Sequence, residues 1–72
     1  MAKSRTVFIT IGKKIKEIRE LKGLTQGEVA KTANINTNYF ACIERGEVNT
    51  SLDKLRLIAK ALGVKSSEIL PF

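Results

Sequence analysis

Ile11, Ile15, Ile18 and Leu21 follow one another at spacings of four, three and three, and Lys13, Lys14, Lys16, Glu17 and Glu20 fall between them. That period lays one apolar stripe along a helix, so a first helix is expected over residues 10–22, with Gly23 as its left-handed stop. Residues 1–9 are expected to be a tail and residues 10–72 a single domain.

The second helix opens at Thr25, whose hydroxyl can cap the Glu28 N–H while the Glu28 carboxylate reaches back, a T-x-x-E capping box. Val29, Ala30 and Ala33 give it a thin inner face that lets another helix come close. Gly27 is out of place inside a helix, at a cost of about 1 kcal/mol relative to Ala; the residues around it give no firm account of it, and room for a close-lying phosphate backbone is one candidate. Residues 32–35 read as a turn, with Asn34 best suited to a left-handed conformation. A third helix follows, capped by Asn36 or Thr37 and running to about Arg45 before Gly46.

After a short loop a fourth helix begins near Ser51, with Thr50 and Asp53 as a capping pair and Leu52, Leu55, Ile58, Ala59 and Leu62 on one face. Gly63 ends it. A last turn or two over residues 66–70 is capped by Ser66 or Ser67 and closed by Pro71. The pattern is all-α, with five helices and no convincing strand.

On a helical wheel of roughly 100° per residue, Asn36, Tyr39, Phe40 and Ile43 of the third helix group on one side, and Thr37, Asn38, Ala41, Cys42 and Arg45 on the other. The first group is the expected core face. The second is short and polar, which suits insertion into a major groove about 12 Å wide. Asn38 has the strongest chemistry, since its amide can bond adenine N6 and N7 together. Thr37, Ala41 and Cys42 can meet thymine methyls or phosphate, and Arg45 phosphate or guanine. Gln26, at the start of the second helix where free N–H groups favour an anion, is placed to hold a phosphate. Glu44 would repel DNA if it faced outwards. Its angle turns it sideways beside Phe40, and Arg19 on the first helix is the expected partner in a structural ion pair.

Charge agrees with an anionic partner: 13 Lys+Arg against 7 Asp+Glu give +6 over 72 residues. With no histidine and one cysteine, Cys42, neither a His/Cys metal cage nor an internal disulfide can form within the chain, and a reducing, cytoplasmic setting is expected. No cofactor is called for. Lys3 and Arg5 ahead of Val7, Phe8 and Ile9 imitate a signal peptide, but the apolar run is too short, and no stretch approaches a membrane span. The two basic residues read as a solvated end, or else as an arm reaching DNA. No nucleophile elbow, glycine-rich phosphate loop or acid–base carboxylate pair is present, so an enzyme is not expected.

The run L-T-Q-x-E-V-A-x-x-A-x-I-x-x-x-Y-F-x-x-I-E-R-G over residues 24–46, followed by S-L-D-x-L and I-A-K-A-L-G-V, resembles the phage repressor and Cro type of helix-turn-helix regulators, the XRE-like family. The likeness covers about residues 10–70, and among small members it is most similar to controller proteins of restriction–modification systems. The resemblance implies a compact five-helix, lambda-repressor-like domain in which the second and third helices form the helix-turn-helix. It also implies a homodimer and a recognition helix in the major groove. Carried over by position, Thr37, Asn38, Ala41 and Cys42 face bases, Gln26, Asn36, Tyr39 and Arg45 contact or position phosphate, and Arg19 pairs with Glu44. Asn34, Gly27 and Cys42 depart from the usual glycine, glutamate and serine, and Cys42 puts any assumed operator in doubt.

Leu57 lies off the inner stripe of the fourth helix. With Val64, Ile69, Leu70 and Phe72 it forms a candidate dimer patch; the competing reading is that the chain's own last helix covers these residues. The function expected is a dimeric, sequence-specific regulator of transcription on a near-palindromic double-stranded operator. The alternative is an antitoxin-type interaction module with secondary DNA binding. The sequence names neither a polymerase contact nor a toxin partner.

Overall fold

The computed structural model describes residues 2–71, with side chains from Arg5 onward. Among them are four α-helices: α1 (Ala2–Leu21), α2 (Gln26–Ala33), α3 (Thr37–Glu44) and α4 (Leu52–Leu62). A single 3-10 turn, Ser66–Glu68, follows, and no strand is present among the described residues. No helix among them is long and apolar enough to cross a membrane.

Two expectations about element boundaries need correction. The first helix is not confined to residues 10–22, because α1 starts at Ala2. Val7 and Phe8, four and three residues before Ile11, carry the apolar stripe one turn further back and pack against the core. The β-branched cluster there hid a helical period. The fifth helix shrinks to the 3-10 turn, whose start is held by the Lys65 N–H donating to Glu68 Oε2 at 2.9 Å rather than by a serine cap. Pro71 disfavours helical backbone at Leu70, which leaves no room for a longer element.

All four helices stop in the same way, in a left-handed residue at Gly23, Asn34, Gly46 or Gly63. At α3, for example, the Glu47 N–H donates to the Cys42 carbonyl and the Gly46 N–H to that of Ile43, both at 3.0 Å, the double return of a Schellman end. Asn34 manages the same conformation with a side chain, at φ 59°, and closes the α2–α3 turn. The Thr25–Glu28 capping box is present in full. At α4 the cap is Ser51, which accepts from Lys54 N, and Thr50 is buried beside it instead of pairing with Asp53.

The core gathers Ile11 and Ile15 of α1, Val29, Ala30 and Ala33 of α2, Phe40 and Ile43 of α3, and Leu55, Ile58, Ala59 and Leu62 of α4. Two residues expected on the inner stripes lie outside it. Leu21 is 82% exposed and Leu52 61%. Each sits at a helix end, where the axis has already passed the core, and Leu24 beyond the Gly23 turn packs inwards in place of Leu21. Gly12 fixes how closely α1 meets α3: a Cβ there would drive into the carbonyl oxygens of Ile43 and Glu44.

Candidate nucleic-acid interface

The face of α3 that the core does not claim is set by its first turn. Asn36 takes extended backbone, φ −68° and ψ 137°, and its Oδ1 accepts from Asn38 N at 2.7 Å and Tyr39 N at 3.2 Å. Asn36 is therefore the exposed cap that the sequence offers at this position, and not a member of the core face on which the angular sorting groups it. Thr37 and Asn38 are exposed, Ala41 and Cys42 half-buried, and Arg45 exposed. Phe40 and Ile43 are buried, and Tyr39 packs partly against the core, so the helix is gripped along one side.

Glu44 is buried, 5% exposed, and three donors converge on it. Arg19 Nε donates to its Oε2 at 2.6 Å, Arg19 Nη2 to its Oε1 at 3.1 Å, and Gln26 Nε2 to the same Oε1 at 2.9 Å. Arg19 Nη1 also donates to the Leu24 carbonyl at 2.9 Å. The Glu44 hydrogen bond raises the Arg19 pKa further above the usual arginine range, against the opposing effect of burial. One carboxylate thus ties α1, the start of α2 and the end of α3 to a common point. Gln26, at the first position of α2, has one amide hydrogen committed to Glu44, and its side chain makes no other hydrogen bond among the described residues.

At this same end of α3, Arg45 Nε lies 2.9 Å from Glu47 Oε2 and Nη2 donates to Cys42 Sγ at 3.4 Å. The pair is half-exposed, so its net contribution to the fold is small. The Arg45 hydrogen bond is the main reason the Glu47 carboxyl is held below the usual range, and Cys42 and Arg5 lower it further. Glu47 was not singled out in the sequence. The signal available was an opposite charge two residues from Arg45 across the Gly46 stop, a pattern too common to stand alone.

The candidate apolar patch divides. Leu57 is 44% exposed, with Val64 and Leu70 half-buried, but Ile69 is 1% exposed and belongs to the chain's own core. Phe72 lies outside the described residues. Leu57 and Val64 border an open groove of about 680 Å³ with Asp53, Arg56, Lys60 and Lys65 around it.

Comparison with known proteins decides the family. The helix-turn-helix family model matches residues 15–69, from the middle of α1 to the end of the core. The chain belongs to the helix-turn-helix family. Within it, the chain is of the XRE type of DNA-binding transcription regulators. It is 44% identical over 61 residues to the immunity repressor protein of Bacillus phage phi105, covering 85% of this chain and 42% of that one. It is 34% identical over 70 residues to control protein C.BamHI of Bacillus amyloliquefaciens, covering 96% and 86%. The chain thus spans less than half of the phage repressor's length and most of the control protein's. Its fold is similar to the crystal structure of the restriction–modification controller protein C.AhdI of Aeromonas hydrophila, with TM-score 0.85, 30% identity, and 88% of this chain and 96% of that one covered. In a helix-turn-helix regulator, the two elements joined at Asn34 are the positioning and recognition helices.

Proposed function

We propose that this chain is a homodimeric regulator that places α3 in the major groove of a near-palindromic operator. The observation that carries the reading is the division within α3. Thr37 and Asn38 stand exposed on its first turn, while Phe40, Ile43 and Glu44 of the same short helix are buried. The fold holds the helix rigidly by one side and leaves short hydrogen-bonding side chains on the other, as base reading requires.

In this reading Thr37, Asn38, Ala41 and Cys42 face base edges. Asn38 provides the bidentate contact to adenine, worth about 1–3 kcal/mol of discrimination. Gln26, Asn36, Tyr39 and Arg45 orient the helix through phosphates. The likeness to a phage repressor and to restriction–modification controller proteins supports a role in switching transcription, with the second half of the operator read by a second copy.

The test is binding to a selected operator and to a random duplex. Asn38→Ala should reduce affinity for the operator by roughly tenfold or more and leave the random duplex nearly unaffected, whereas Gln26→Ala should weaken both. Equal losses on both duplexes for Asn38→Ala would remove α3 from base reading.

A further inference from the structure

The N-terminal turns of α1 are placed by two close approaches. Gly46 admits Ile9, whose Cα would lie 2.6 Å from a Cβ at that position, and Gly12 admits the carbonyls of Ile43 and Glu44. Residues 9–12 of α1 therefore cross the last turn of α3. Arg5 is four residues before Ile9, hence on the same helix face and about 6 Å further along the axis. Side chains on a helix lean towards its N-terminus, which carries the Arg5 guanidinium beyond the crossing. Arg5 is exposed and shares the face of α1 that meets Gly46, the residue between Arg45 and Glu47.

We propose that Arg5 and Arg45 form a two-arginine phosphate clamp on duplex DNA, with Glu47 as a built-in competitor that occupies Arg45 until a backbone phosphate replaces it. The proposal rests on the DNA-binding reading above and adds to it a contact from α1 and a negative element. The existing pair has the geometry that a phosphate would take over, since a guanidinium fork accepts carboxylate and phosphate oxygens alike. It is also half-exposed and so cheap to break. The depression of the Glu47 carboxyl, chiefly by Arg45 and in smaller part by Arg5, agrees with both cations lying within electrostatic reach of that one acid. Glu47 keeps Arg45 extended beside Cys42 in the free protein and subtracts one charge from the DNA-facing field.

The experiment measures binding of the full chain to a random-sequence duplex over a range of salt, for wild type, Arg5→Gln, Arg5→Lys and Glu47→Gln. Gln and Lys are good helix formers, so α1 should survive, and a melting curve checks it. Losing one phosphate contact should flatten the log–log salt slope by about 0.9, so over a fourfold rise in salt Arg5→Gln should lose about 3.5-fold less affinity than wild type. Arg5→Lys should keep the wild-type slope. Glu47→Gln should bind both random and selected duplexes several-fold more tightly. An Arg5→Gln protein with wild-type affinity and slope, or a Glu47→Gln protein that binds no better, would overturn the clamp and leave the regulator reading standing. A wild-type chain that binds no duplex at low salt would overturn both.

Discussion

Arg19 Nε meets Glu44 Oε2 at 2.6 Å across the α1–α3 contact, and Gln26 of α2 completes the bonding of the same carboxylate. Because the acid is buried and its partners come from two other helices, the pair is a joint of the whole helix-turn-helix rather than a surface ornament. Removing one partner leaves an uncompensated charge in a place that water barely reaches. Glu44→Ala should therefore destabilise the fold by about 3–5 kcal/mol, a large part of the stability of so small a domain. Chemical denaturation of the variant checks it, and an unchanged midpoint would show that the joint is not structural.

Gly27 occupies the first turn of α2 with open space around it. A Cβ there would meet only Thr25 Oγ1, at 3.9 Å. Nothing among the described residues requires a glycine, so Gly27→Ala should stabilise by about 1 kcal/mol, raising Tm by roughly 4–8 °C. If the glycine makes room for a phosphate, the same variant should bind operator and random duplexes more weakly. A stabilised variant with undiminished DNA binding would refute that reason for Gly27.

Thr50 Oγ1 is buried with no hydrogen-bond partner among the described residues. A desolvated hydroxyl without a partner costs about 1–3 kcal/mol. Thr50→Val keeps the shape and removes the polar atom, so it should raise the thermal midpoint. A fall would mean that the hydroxyl is satisfied in solution.

Leu57 and Val64 remain as the apolar part of the proposed dimer surface, beside a groove with charged edges. Leu57→Lys should shift the chain towards monomer in sedimentation at micromolar concentration and weaken operator binding more than its effect on melting. A wild-type monomer, or a dimer untouched by Leu57→Lys, would remove this surface from the account.

What the sequence made legible were features that repeat or cap. The apolar period, the Thr25–Glu28 box, the left-handed stops and the Arg19–Glu44 pair all follow from local chemistry or from a charge that had no other place to go. Features that depend on where one helix passes another were not legible. Gly12 looked like an indifferent helix position, and only the approach of α3 gives it a purpose. The same holds for Ile69, whose apolar side chain suits an interface or a core equally until the 3-10 turn directs it inwards. On α3, the cap at Asn36 and the exposure of Thr37, Asn38 and Arg45 follow from local chemistry and the helical period, whereas the partner of Arg45, Glu47, depends on how the chain turns at Gly46.

The central claim is that two copies of α3 read one operator. Selection of bound duplexes from a random pool at near-physiological salt tests it most directly. The account predicts enrichment of two inverted half-sites centred about 10 base pairs or a multiple of that apart, matching recognition helices one helical turn from each other. A pool with no enriched sequence, or with a single asymmetric half-site, would contradict it.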